Sequence, residues 1–188
     1  MLTGAEQGID RLMERAADLY RLAYGITRSH AEAEAVLRAV LVRAAAGEAA
    51  SEKPAWGRRA VVRAALARQV PAGPEVAAVG AGALPAFSPD GHRLGAGQVD
   101  RADWSGLPDA ALLGGAGRAA LERALDALPV PVRAALLLRD VERLAWTEVA
   151  EALGEPVATA RTWLHRARMA VREQLTRALA ATPDALAC

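Results

Sequence analysis

Apolar residues recur at spacings of three and four along most of this chain, which is the signature of amphipathic helices. Leu12, Ala16, Leu19, Leu22, Ala23 and Ile26 share one face of a helix predicted over about residues 6–27. Ser29 can cap a second helix, with Glu32 three residues later as in a capping box. Val36, Leu37, Val40 and Leu41 supply its stripe, and Gly47 stops it. Pro54 opens a third helix that carries Trp56, Ala60, Val61 and Leu66 inward. After a long gap, residues 116–128 predict a helix with Leu121, Leu125 and Leu128 on one face. Pro129 and Pro131 break it and reopen a helix through Val132, Leu136, Leu137 and Leu138. A short helix follows over Thr147 to Leu153, ended by Gly154. Pro156 starts the last, which runs to about Leu179. No alternating strand pattern and no internal repeat occurs, so the expected fold class is all-α.

Composition agrees. Alanine supplies 47 of 188 residues, Arg 22 of the 23 basic ones, and only two are Ile, a helix-forming mixture. Between residues 71 and 115 the periodicity lapses: five prolines and nine glycines forbid a continuous helix or a central strand. So long an irregular stretch is uncommon inside one domain. The expected organisation is therefore a helical domain over 1–70, a linker over 71–115 on which Phe87 and Trp104 can dock, a second helical domain over 116–180, and a tail over 181–188.

The net charge of +1 conceals a segregation. Residues 53–70 carry Lys53, Arg58, Arg59, Arg63 and Arg68 with no acid, and residues 156–188 carry five Arg against Glu173 and Asp184. Two basic clusters on a nearly neutral chain suggest two contacts with a polyanion. Cys188 is the only cysteine, which leaves no intrachain disulfide and no cysteine-based zinc site. Glu6 and Asp10 precede any apolar run and no stretch approaches membrane-spanning length, so the protein is expected to be cytoplasmic, with no signal peptide and no membrane insertion. Gly115 to Ala120 fits a loose dinucleotide pattern, but no strand precedes it. His30, His92 and His165 have no partner at metal-ligand spacing. The expectation is a non-enzyme with no cofactor and no metal.

The last two helices have helix-turn-helix spacing. Ala150 is small where they approach, Gly154 takes the turn, and Val149, Leu153, Val157, Ala160 and Leu164 form a shared seam. A second helix entering the major groove N-terminus first would present Thr159, Arg161 and Thr162 to base edges. Arg166, Arg168 and Arg172 lie further along and suit phosphates. Trp163 reads either as packing beside Leu164 and Ala167 or as an apolar contact to DNA. His165 reads as a packing or phosphate-contacting residue.

Residues Ala124 to Leu175 resemble the promoter −35 reading domain of extracytoplasmic-function (ECF) sigma factors, a subfamily of the sigma-70 family. The resemblance rests on Leu128-Pro129, Arg133, Leu138-Arg139-Asp140, Glu148 to Gly154, and the "LHRAR" run Leu164 to Arg168. It implies a sigma region 4-like, winged-helix-like domain with Thr159, Arg161, Thr162, Trp163, His165, Arg166, Arg168 and Arg172 at the −35 element. Leu19 to Ala45 is similar to the helix pair of the region 2-like domain that grips core polymerase. That implies core-binding roles for Glu32, Glu34, Val36, Leu37, Arg38, Val40 and Leu41. Trp56, Arg58, Arg59 and Arg63 resemble the start of the helix that reads and melts the −10 element. Phe87 to Arg93 and Asp103 to Ser105 resemble a long-linker subset.

The N-terminal part is degenerate against that pattern. Ala35, Arg38 and Ala39 stand where members place an acid and a Gln-Glu pair, and the loop before Trp56 is shortened to Gly47 through Ala55. Each lost charge-assisted hydrogen bond is worth roughly 1.5–3 kcal/mol at an interface.

The resemblance implies an alternative bacterial sigma factor that binds core RNA polymerase through the beta-prime clamp and beta flap, reads double-stranded promoter DNA, and has an anti-sigma factor as a further partner. The alternatives are a sigma-derived DNA-binding regulator or adaptor that no longer initiates, and a module that mainly engages an anti-sigma protein.

Overall fold

A computed structural model describes residues 4–48, 56–69 and 114–180. Most of the expected linker, with Phe87 and Trp104, lies outside the described residues, as does Pro54. All regular structure among the described residues is helical.

The first predicted helix is two. α1 covers Gly4–Glu14 and α2 covers Ala16–Thr27. At Arg15 the backbone leaves helical values (φ −110°, ψ 10°), and its N–H donates to the Leu12 carbonyl three residues back, at 3.1 Å. The tighter turn redirects α1 onto the helix that follows α2, a tertiary contact that periodicity cannot reveal because Leu12 and Leu19 keep helical phase across the break. α2 ends on Arg28 in the left-handed region, φ 58°. α3, His30–Ala45, begins with Ser29, whose hydroxyl accepts from the Glu32 N–H at 3.4 Å. The reciprocal half of the predicted capping box does not form, because the Glu32 carboxylate accepts from Arg68 at 2.7 Å instead. Gly47, at φ 91°, turns the chain out of α3.

α4, Trp56–Gln69, packs on both α2 and α3. A methyl group on Gly57 would sit 2.7 Å from Leu12 Cδ2, so glycine here lets α4 close onto α1 and α2. Ala60, Val61, Val62 and Ala65 are all buried, a wider buried face than a bundle-edge helix has. The second covering layer is the C-terminal half.

That half is built on α5 (Gly115–Ala127), α6 (Val130–Leu136) continuing into a π-helical turn (Leu137–Val141), α7 (Trp146–Leu153) and the long α8 (Val157–Ala180). α8 is the spine against which α5, α6 and α7 pack. The α5 face differs from the predicted one: Leu128 is buried, but Leu121 is 39% exposed, and Ala120 and Ala124 face inward with it. Small side chains at spacing four let the α5 and α8 backbones approach, which favours alanine over leucine at the seam.

The two halves share one buried cluster. It runs from Leu12, Leu22, Ile26, Val36, Val40 and Val61 through Ala134, Leu138, Val149, Leu153 and Ala160. α4 lies on α7 and α6, and α2 lies on α6 and the π turn. A smaller cluster of Leu128, Val132 and Ala167 closes the far side of α8.

Candidate nucleic-acid interface

α7 and α8 meet at the turn the sequence specifies. Gly154 adopts φ 73°, and the Glu155 N–H reaches back to the Ala150 carbonyl at 3.1 Å, a Schellman-type stop. The start of α7 is fixed by Glu148, whose carboxylate accepts from the Ala145 N–H at 2.9 Å. Val149, Ala150, Leu153, Ala160 and Leu164 are buried along the seam, and Val157 is half-buried.

The opposite face of α8 is open. Arg161, Thr162, His165 and Arg168 are exposed at three- and four-residue spacing, while Thr159, Trp163, Arg166 and Arg172 are half-buried on its flanks. Trp163 packs against both buried clusters, so its indole serves the interior. Thr162 Oγ1 donates to the Ala158 carbonyl at 3.1 Å.

Two of the arginines are positioned before any ligand arrives. The Arg161 guanidinium lies 5.3 Å from the centre of the Trp146 ring, and Arg139 lies 5.1 Å from the same ring. Arg139 also donates to the Leu144 carbonyl at 2.6 Å. Arg168 forks onto Asp140 at 2.6 and 3.0 Å, and that hydrogen-bonded pair raises its pKa further above the usual arginine value. Sequence spacing did not identify Trp146 or Asp140 as supports of α8. Both come from segments next to α8 in space, and the available signal was aromatic and acidic character in otherwise apolar stretches.

The N-terminal candidates sit differently. Trp56 is buried at 7% exposure, with the Arg43 guanidinium 5.8 Å from its ring centre. Arg58 pairs with Glu142 at 2.7 Å, Arg59 pairs with Glu151, and Arg63 donates to the Glu151 carbonyl at 3.1 Å. Arg43, Trp56, Arg59, Ala60, Arg63 and Glu151 line a cleft of about 140 Å³ between α4 and α7. The arginines expected at DNA thus face the helix-turn-helix.

On α3, Val36 and Val40 are 0% and 1% exposed. They pack inside the bundle rather than on its surface. Leu37 and Leu41 are half-buried against the same core, and Glu32 is engaged by Arg68, which holds its carboxyl below the usual carboxylate range. The outward stripe of α3 is Glu34, Arg38 and the 65% exposed Val42. Val42 was missed because an apolar residue beside Leu41 reads as core by pattern. His30 stacks on Tyr24 with ring centres 4.5 Å apart and lies 2.6 Å from the Tyr20 hydroxyl. Among the described residues no three His, Cys, Asp or Glu side chains gather to hold a metal ion, and no helix is long and apolar enough to cross a membrane.

Residues 118–171 match the family described as sigma-70, region 4. Over 57 residues the chain is also 40% identical to the ECF RNA polymerase sigma factor SigE of Mycolicibacterium smegmatis. The likeness to sigma-70 region 4 is confined to residues 118–171, less than a third of the chain. The SigE match covers 30% of the chain, and the chain spans only 22% of the length of that curated relative. A solved structure, the sigma factor RpoE in complex with the anti-sigma factor NepR from Bartonella quintana, is similar in fold. Its TM-score is 0.58 at 19% identity, covering 89% of this chain and 95% of that one. The match takes in α7 and α8 as far as residue 171, and the N-terminal helices lie outside it.

Proposed function

We propose that the protein is an alternative sigma factor that binds core RNA polymerase and directs promoter-specific initiation, reading the −35 element with α8. The observation that carries this reading is the exposed Arg161, Thr162, His165 and Arg168 stripe on a helix-turn-helix that matches sigma-70 region 4. Arg161 and Thr162 meet base edges, and Arg166, Arg168 and Arg172 meet phosphates. The polymerase supplies the chemistry, so the sigma chain itself is not an enzyme. Trp56, Arg58, Arg59 and Arg63 act at the −10 element, and Glu34, Arg38 and Val42 form the outward face of α3 offered to the polymerase clamp. Residues 1–70 and 116–180 are two helical domains joined by the 71–115 linker, which pack on one another through the shared cluster. An anti-sigma protein is a natural further partner, in keeping with the NepR complex of the structurally similar RpoE.

A second reading is a DNA-binding regulator on a sigma scaffold. Ala35, Arg38 and Ala39 in place of the usual polar set favour it, as does the engagement of the α4 arginines by α7. Purified core polymerase with run-off transcription on selected promoter DNA separates the two. Stable binding with transcripts is expected; sequence-specific DNA binding without polymerase binding would overturn the first reading in favour of the second.

A further inference from the structure

We propose that Glu142 and Glu151 form an intramolecular lock, occupying the arginine face of α4 in place of nucleic-acid phosphates and holding the two halves closed. This inference deepens the proposed function and rests on its assignment of α4 to DNA.

α4 carries four arginines, Arg58, Arg59, Arg63 and Arg68, and no acid. Such a helix needs anions nearby, and here the anions come from the same chain. Arg58 takes the Glu142 carboxylate, Arg59 takes the Glu151 carboxylate, and Arg63 takes the Glu151 carbonyl. The Arg58, Arg59 and Glu142 side chains are 27%, 17% and 18% exposed, so the first pair and the Arg59 head are half-desolvated. A guanidinium fork binds carboxylate and phosphate through the same donors. The two anions compete for one site, and α4 cannot hold α7 and a DNA strand together.

The opposite end of the contact is built likewise. Arg28, on its left-handed cap, pairs with Glu122 and with Asp126 at 2.6 Å. Between the charged ends, a methyl group on Gly25 would sit 2.9 Å from Leu137 Cδ1, so glycine permits α2 and the π turn to close. The closed form also carries a cost. Arg133, on the α6 helix that α2 covers, is 5% exposed and its Nε has no hydrogen-bond partner. A buried guanidinium with an unpartnered Nε sets a stabilising interface against a standing penalty, the balance that a two-state element needs.

The test uses the full chain with Glu142→Gln and Glu151→Gln together. Asp10→Asn with Glu14→Gln on the exposed side of α1 matches the change in net charge. Binding to a random-sequence single-stranded oligonucleotide is measured against salt, and the radius of gyration by small-angle scattering. Relative to the charge-matched control, the lock variant is expected to bind about tenfold tighter and to be larger in solution. Release of three arginines to phosphates steepens its salt slope by about 2. An unchanged radius and affinity would overturn the lock.

A second variant avoids dependence on the glutamates: Gly25→Cys with Leu137→Cys in a Cys188→Ser background. Oxidation is expected to abolish the α4 share of binding and reduction to restore it; equal binding in both states would overturn the lock. Run-off transcription separates this inference from the reading beneath it. Transcripts from the wild-type chain with no gain in the lock variant refute the lock alone, whereas a gain in binding with transcripts from neither refutes the sigma reading and leaves the lock standing.

Discussion

Arg133→Met is expected to stabilise the protein. Arg133 is 5% exposed, and burial first, with the neighbouring Arg28 charge second, pulls its pKa well below the usual arginine value, to about 10, while Asp126 partly offsets the fall. At about 1.4 kcal/mol per tenfold change in proton affinity, the protonated side chain is disfavoured in the folded state by about 3 kcal/mol. Methionine keeps most of the apolar stem and removes the charge and the unpartnered Nε. Allowing for residual hydration of the head group, the expected gain is about 1–3 kcal/mol. Urea unfolding followed by circular dichroism measures it. The pH dependence gives a second check. Below pH 10 both folded and unfolded Arg133 are protonated and the penalty is fully present. As pH rises above about 10 the folded side chain sheds its proton before the unfolded one, so wild-type stability rises relative to the variant and the gap narrows. A variant less stable than wild type by more than about 1 kcal/mol would refute the reasoning, since it would mean the guanidinium is net favourable where it lies.

Three further outcomes are expected. Arg161→Ala relaxes sequence preference at one −35 position, costing about 1–3 kcal/mol there in a selection or competition assay; Trp146→Ala, which removes the ring beneath Arg161, gives a weaker loss at that same position. Arg168→Ala weakens binding evenly across sequences and lowers the salt slope by about one in fluorescence titrations; a loss confined to one sequence contradicts a phosphate role. Arg143 sits at φ 57°, and Arg143→Gly trades about 1–2 kcal/mol of left-handed strain against roughly 0.5–1 kcal/mol of glycine entropy, for a net gain of about 0.5–1 kcal/mol in thermal unfolding.

The helical character of the chain and the α7–turn–α8 pair were legible because each depends on local chemistry. Ser29, Gly47, Gly154 and Pro156 act within a few residues of where they stand, and the Val149 to Leu164 seam follows from period alone. What was not legible is tertiary. The break at Arg15 preserves helical phase, so the pattern of Leu12 and Leu19 reads through it. Ala120 and Ala124 displaced Leu121 from the α5 seam because backbone approach, a property of the partner helix, selected size over hydrophobicity. The α4 arginines carry the same letters whether they face solvent, DNA or a glutamate, and only the fold shows Glu142 and Glu151 opposite them.

The alanine seams set the direction in which this protein can change. Alanine is the commonest residue among its buried apolar positions, with Ala23, Ala33, Ala44, Ala65, Ala134, Ala135, Ala152 and Ala167 at 0% exposure. Ordering an alanine side chain costs almost no rotamer entropy, so these helices assemble cheaply although each contact buries little surface. The same economy leaves no slack. Where a leucine-rich core yields by losing methylenes, this one has few to lose and no room to gain them, and an added methyl wedges two backbones apart along their whole length. Sequence drift in the interior is therefore one-sided, free to exchange alanine with glycine or serine at modest cost and closed to anything larger.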